Sequence, residues 1–210
     1  MSLTAAARRP VLADLIARPS QRARALAMDA GLVVTGALVV ALLAKVSFFV
    51  GPVPITGQTL GVIVVGAALG ARRGAAALTT YLLAGLAGAP VFAGLTAGPA
   101  YVLAPSFGFV IGFIPAAFVA GWFAERAWDR TPWLAFLGFV AASLIPFVIG
   151  VPYMAFILAT VLNQPVTVTS VLDAGVWPFL IPGLTKAAFA ALLVPGAWLA
   201  VRAIDGRKKG

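Results

Sequence analysis

Few side chains in this 210-residue chain can do chemistry, and their types and spacing narrow what that chemistry is. Cysteine and histidine are both absent, which excludes disulfides, thiolate nucleophiles, imidazole bases and Cys/His zinc sites. No G-x-x-x-x-G-K-[ST] loop occurs, so the chain does not hydrolyse ATP by the P-loop route. The carboxylates Asp14, Asp29, Glu125, Asp129 and Asp205 are scattered, and Asp173 stands alone, unlike the clustered groups of an acid–base catalyst.

Two lysines lie far from the termini. Lys186 follows Gly175 by 11 residues, so a helix begun at Gly175 carries it about 16 Å along the axis, near the middle of a bilayer. A lysine there costs about 2.5 to 3.5 kcal/mol on insertion scales and faces a cavity or a partner rather than lipid. One reading gives it an anionic or strongly polar ligand entering from outside; the other has it snorkel or bind carbonyls freed by Pro182. Lys45, at the outer end of an apolar run, reads as a snorkelling side chain. Thr56, Gln58 and Thr59 lie in the string V-P-I-T-G-Q-T, where Pro52 and Pro54 forbid regular helix. Gln58 can donate and accept at once, as amide or ureido ligands require, or can cap the helix that follows. Tyr81, Phe92, Tyr101, Phe109, Tyr153 and Trp177 fall near loops or the outward halves of spans, as interfacial anchors or ligand walls.

The elements that must position these groups are set by composition: 62% of residues are hydrophobic and 10% charged. A membrane-crossing helix needs about 20 apolar residues, so the length houses about six spans. The spans predicted are 29–50, 59–71, 74–90, 105–124, 133–162 and 176–204. The second is too short to cross unless the Pro/Gly stretch before it is embedded, and such a span lines a protein cavity. The fifth is broken by Pro146, Gly150 and Pro152. Residues 91–104 and 163–175 read as loops.

Orientation follows from charge. A cytoplasmic amino terminus places inside the five arginines of residues 1–28, Arg72 and Arg73, Arg126 and Arg130, and the four basic residues near the carboxyl end. These are thirteen of the 15 basic side chains, and the outward loops carry none. The expectation is an all-α integral membrane protein of six transmembrane helices with both termini cytoplasmic: a tail at 1–28, a membrane domain at 29–204 and a basic tail at 205–210. The net charge of +9 then reflects topology and anionic lipid, and calls for no nucleic acid. Small-xxx-small pairs such as Ala37 and Ala41, Gly66 and Gly70, and Gly108 and Gly112 permit close helix contacts.

In order along the chain, three strings resemble the BioY family, the biotin-binding S components of energy-coupling factor (ECF) transporters. They are Pro52-Val53-Pro54-Ile55-Thr56-Gly57-Gln58-Thr59-Leu60, then Gly66-Ala67-Ala68-Leu69-Gly70-Ala71-Arg72-Arg73-Gly74, then the stretch 81–94 from Tyr81 through Gly88-Ala89-Pro90-Val91-Phe92-Ala93-Gly94. Ala104-Pro105-Ser106-Phe107-Gly108-Phe109 and Gly150-Val151-Pro152-Tyr153 are similar to further segments of that family. The resemblance spans about residues 42–191 and implies a multi-pass protein of a bacterial or archaeal cytoplasmic membrane that binds biotin under its outward loops. It needs no cofactor, and a transmembrane coupling protein (T component) and two ABC-type ATPases would be its partners. On this resemblance Lys186 is the central polar contact, Gln58 and Thr56 form a lid, and Tyr81, Phe92 and Tyr153 are cavity walls. Ala37 and Ala41 would dock the coupling protein. The family pattern P-F-x-x-G-D-x-x-K is matched at Pro178, Phe179 and Lys186, but its aspartate falls on Gly183, for which Thr185 or Gln58 would substitute. No arginine occupies the loop after the third helix to clamp a carboxylate. The alternatives are an S component for another vitamin, such as thiamine or riboflavin, a stand-alone membrane transporter, and a lipid-modifying membrane enzyme, against which the scattered carboxylates count.

Overall fold

The computed structural model describes residues 8–16, 19–49 and 51–207; Arg18, Val50 and the tail lysines Lys208 and Lys209 lie outside the described residues. Long apolar runs rich in Ala, Leu and Val form helices: α1 (Arg22–Ala44), α2 (Gln58–Leu69), α3 (Ala71–Leu86), α4 (Phe107–Ala124), α5 (Pro132–Thr160), α6 (Val168–Gly175) and α7 (Trp177–Arg207). Arg22–Ala44, Phe107–Ala124, Pro132–Thr160 and the stretch Val168–Ile204 are long and apolar enough to cross a membrane.

Glycine sets how close these helices come. A Cβ on Gly66 of α2 would lie 2.4 Å from the Ala117 carbonyl oxygen of α4, and one on Gly121 of α4 would lie 2.3 Å from the Ala71 nitrogen. Backbones so near leave no room for any side chain, and α4 is accordingly the most buried of the long apolar helices. Gly70 joins α2 to α3 with a φ of +85°, a conformation costly for other residues. This tight join lets two short helices, 12 and 16 residues long, pack on α4 as a unit.

Four sequence expectations are corrected. The first span stops at Ala44; Ser47–Phe49 is instead a strand, β1, paired antiparallel with β2 (Pro54–Thr56) in the register Ser47 with Thr56 and Phe49 with Pro54. Lys45 caps α1, and prolines 52 and 54 keep the returning strand extended. Residues 22–28, expected in a polar tail, are the first two turns of α1. The fifth span is one unbroken helix through Pro146 and Pro152, because apolar surroundings leave helix as the only way to satisfy most backbone groups. The loop 163–175 contains α6, begun by a reciprocal cap: Thr167 Oγ1 accepts from the Ser170 N–H at 3.1 Å, and Ser170 Oγ accepts from the Thr167 N–H at 2.9 Å.

At the end opposite the hairpin, arginines hold a short amino-terminal segment against the helix ends. Val11 is fully buried there, the Arg9 N–H donates to the Glu125 carbonyl, and Arg8 pairs with the Glu125 carboxylate at 3.1 Å. Arg73 reaches Asp14 at 2.8 Å and Asp29 at 2.9 Å. Asp129, 1% exposed, accepts from the Trp198 indole at 2.6 Å and ties α7 to the turn after α4. Burial pushes its carboxyl above the ordinary range, and the indole bond and Arg130 only partly oppose that. For Asp14, burial acts upward too, but the Val11 N–H, Arg73 and Arg8 outweigh it and hold the carboxyl below its usual range. A depressed folded-state pKa means that this stabilisation is complete at neutral pH and is lost as pH falls through that pKa.

Two outcomes follow. Gly66→Val is expected to lower the melting temperature in detergent, as overpacking costs about 1–3 kcal/mol, whereas Gly196→Ala, with no atom within 4 Å, leaves it unchanged or raised. Asp14→Asn should speed amide hydrogen exchange around Val11 at pH 7, and acidifying the unaltered chain below about pH 4 should bring its exchange toward that of the variant.

Candidate functional site

The hairpin folds back over the bundle and buries its polar end. Thr56 is 8% and Gln58 3% exposed, and neither is left unpaired. The Thr56 hydroxyl donates to Gln58 Oε1 at 2.8 Å and accepts from the Gln58 N–H at 3.2 Å. Gln58 Nε2 donates to the Tyr81 hydroxyl at 2.6 Å, which donates in turn to the Val91 carbonyl at 3.0 Å. This relay locks hairpin, α2, α3 and the following loop together. The Gln58 side chain does not cap α2.

Lys186 enters from α7. Its ammonium donates to the Thr56 carbonyl at 2.5 Å and to Thr59 Oγ1 at 3.1 Å. The carbonyl it takes belongs to the hairpin and not to the turn opened by Pro182. Beneath the hairpin lies a partly open cavity. Thr56, Gln58, Thr59 and Lys186 form its polar side. Phe109, Phe147 and Phe179, with ring centroids 5.8 to 6.3 Å apart, form an aromatic wall from α4, α5 and α7. Tyr101 and Ser106 share a hydrogen bond of 2.9 Å at the cavity's edge. Val53 of the hairpin packs with Phe109, Met154 and Val171, so α6 helps close this end.

Lys186, Gln58 and Thr56 thus meet at one cavity, and four other expected site residues do not line it. Tyr81 (1% exposed) and Phe92 (fully buried) sit one layer behind. Tyr81 meets Phe92 edge-on at 5.6 Å, and Phe92 stacks on Tyr101 at 4.2 Å, so they support the wall through Tyr101. Tyr153 donates its hydroxyl to the Val102 carbonyl and braces the loop 99–103. Thr185, one residue from Lys186 and so about 100° around the helix, is exposed and donates to the Ile181 carbonyl; it cannot stand in for an aspartate in the cavity.

Ala37 and Ala41 are each only 7% exposed and face the bundle interior, so they are not an open docking stripe; the outward face of α1 carries Leu38 and Leu42. Lys45 donates to the Pro90 carbonyl at 2.6 Å, and Asp173 lies exposed on α6 away from the cavity. Sequence reading missed Ser106, Phe147 and a cavity role for Tyr101 and Phe179. The signals were the A-P-S-F-G-F and P-F strings, whose aromatics look the same as interfacial anchors.

A family model described as the BioY family matches residues 17–203. A biotin transporter BioY of Rhizobium etli is 36% identical over 166 residues, covering 75% of this chain and 85% of the relative. One of Thermotoga maritima is 34% identical over 154 residues, covering 71% and 83%. Among solved structures, the S-component for biotin from an ECF-type ABC transporter superimposes with a TM-score of 0.63 at 22% identity, over 85% of this chain and 94% of that one, and so shares its fold. A match to the family model over nearly the whole described bundle, with relatives aligned across most of their own length, places this chain in the BioY family.

Proposed function

We propose that this chain binds biotin in the cavity beneath the hairpin and is the substrate-specificity subunit of an ECF-type uptake system. The observation that carries the reading is the cavity itself in a BioY family member: apolar and aromatic on most sides, and polar where Lys186, Thr56, Thr59 and Gln58 converge. A ligand with a compact polar ring and an aliphatic acid chain suits such a surface, with dispersion contacts along the wall and a few polar groups fixing orientation. Binding is non-covalent and uses no cofactor. Thiamine, a cation, fits poorly, because the lining offers it a lysine and no carboxylate.

Helices α1 to α5 and α7 are the six spans. The arginine-rich end with both termini faces the cytoplasm, and the hairpin and α6 face outward, in keeping with the positive-inside asymmetry. The hydrolysis of ATP belongs to two ABC-type ATPases reached through a transmembrane coupling protein.

Titration of the purified chain in detergent is expected to show saturable biotin binding, weakened at least tenfold by Lys186→Ala, a loss of about 1.4 kcal/mol or more. Unchanged affinity in that variant would remove the lysine from the site. In liposomes, concentrative biotin uptake should require the coupling protein, the ATPases and ATP; equal uptake by the chain alone would favour a stand-alone transporter.

A further inference from the structure

We infer that the groove between α3 and α4 at the arginine-rich end binds the phosphate of an anionic glycerophospholipid, with an acyl chain lying along α4; the inference rests on α4 crossing a membrane and not on the biotin reading. Arg8, Ala71, Arg72, Phe118, Trp122 and Glu125 line this groove, and it is open to the outside. Phe118 and Trp122, four residues apart, share one face of α4 and are both exposed. Arg126, just past the helix end, folds back so that its guanidinium lies 3.3 Å from the centroid of the Trp122 ring and donates to the Trp122 carbonyl at 3.1 Å. Arg72, exposed near the start of α3, stands across the groove. From the membrane outward the order is therefore phenyl ring, indole about 6 Å further along the axis, then guanidinium groups. A phospholipid presents its acyl chain, its glycerol ester region and its phosphate in that same order.

The charge of the groove is positive on its open side. Its one carboxylate, Glu125, points inward with its side chain 15% exposed, and its Oε1 accepts from the Ala71 N–H at 2.9 Å and from Arg8 Nε at 3.1 Å. Arg8, half exposed, also lies 3.8 Å from Asp14. Among the described residues Arg72 and Arg126 pair with no carboxylate, so two guanidinium groups remain for an anion. A guanidinium matches phosphate oxygens in a two-pronged geometry. A zwitterionic lipid brings its own ammonium to compete for that phosphate, which favours a lipid with net negative charge. A free phosphate would use the arginines but leave Phe118 and Trp122 without a partner, whereas a lipid covers both.

The test reconstitutes the full-length chain in vesicles of phosphatidylcholine and phosphatidylglycerol, with one or the other brominated in its acyl chains. Quenching of Trp122 is the difference from Trp122→Phe in the same background. Brominated phosphatidylglycerol should quench Trp122 at least about fivefold more effectively per lipid than brominated phosphatidylcholine, the factor that one arginine gives near an anionic surface. Arg72→Gln combined with Arg126→Gln should remove that preference. Arg22→Gln combined with Arg24→Gln, which takes the same charge from exposed positions on α1, should keep it. Equal quenching by the two lipids overturns the assignment. So does a preference that survives in the first double variant, or one that falls equally in the second, since either marks a diffuse surface potential. Loss of the preference in millimolar inorganic phosphate would assign the groove to free phosphate instead. Quenching of Trp122 by neither lipid overturns both the site and the lipid exposure of this face, and leaves biotin binding, measured separately, as the test of the function proposed above. Should the first double variant fail to fold, as judged by its melting temperature, Arg72→Gln alone decides, because Arg72 makes no side-chain hydrogen bond or ion pair among the described residues that the change would break; an undiminished preference there overturns the assignment.

Discussion

An ammonium group among apolar helices must find hydrogen-bond acceptors, and the two it finds here are the carbonyl of a strand residue 130 positions earlier in the chain and the Thr59 hydroxyl at the start of α2. That requirement organises the hairpin end. Lys186 reaches the Thr56 carbonyl only if residues 47–56 fold back over the bundle, and that carbonyl is free to accept only because the strand edge is not paired at that point by a third strand. Prolines 52 and 54 keep the segment from continuing α1, and the Thr56–Gln58–Tyr81 relay fixes where it lands. The cavity is the space left between a strand pulled down by a lysine and three phenylalanines that cannot approach that lysine's charge without losing apolar contact.

The helical class, the order of the long helices and the polar loop at 52–59 were legible because they rest on features that survive without tertiary context: long apolar runs and proline. What faces what was not. In a lipid-facing protein the outside of a helix is as apolar as its inside, so hydrophobic periodicity carries little information. Ala37 and Ala41 illustrate this: their spacing advertises a close contact, and both are buried in the chain's own core cluster. The same ambiguity hid the cavity role of Tyr101 while promoting Tyr81 and Tyr153, three tyrosines whose hydroxyls all find partners but of which only Tyr101 touches the cavity. Strand β1 was absorbed into the first span because Ser47, Phe48 and Phe49 are as apolar as the helix before them, whereas α6 did carry a signal, the T-x-x-S cap at 167–170.

The two ends of the molecule use charge in opposite ways. At the arginine-rich end, cations are matched with carboxylates: Arg8 with Glu125, and Arg73 with Asp14 and Asp29. Those made by Arg8 and Asp14 fasten a segment that begins before the part matched by the family model and buries Val11 against the helix ends. In the cavity beneath the hairpin, Lys186 pairs instead with neutral partners, the Thr56 carbonyl and the Thr59 hydroxyl.

Helix α7 is unevenly clamped. From Ala187 onward it is anchored by Ala187, Ala190, Ala191 and Val194, all at most 3% exposed, and by the Trp198–Asp129 bond, whereas none of residues 177–186 is fully buried. In mechanical terms the outer ten residues are a cantilever, and its root coincides with Lys186. Lys186 therefore stands where α7 passes from its loosely packed stretch to its tightly packed one.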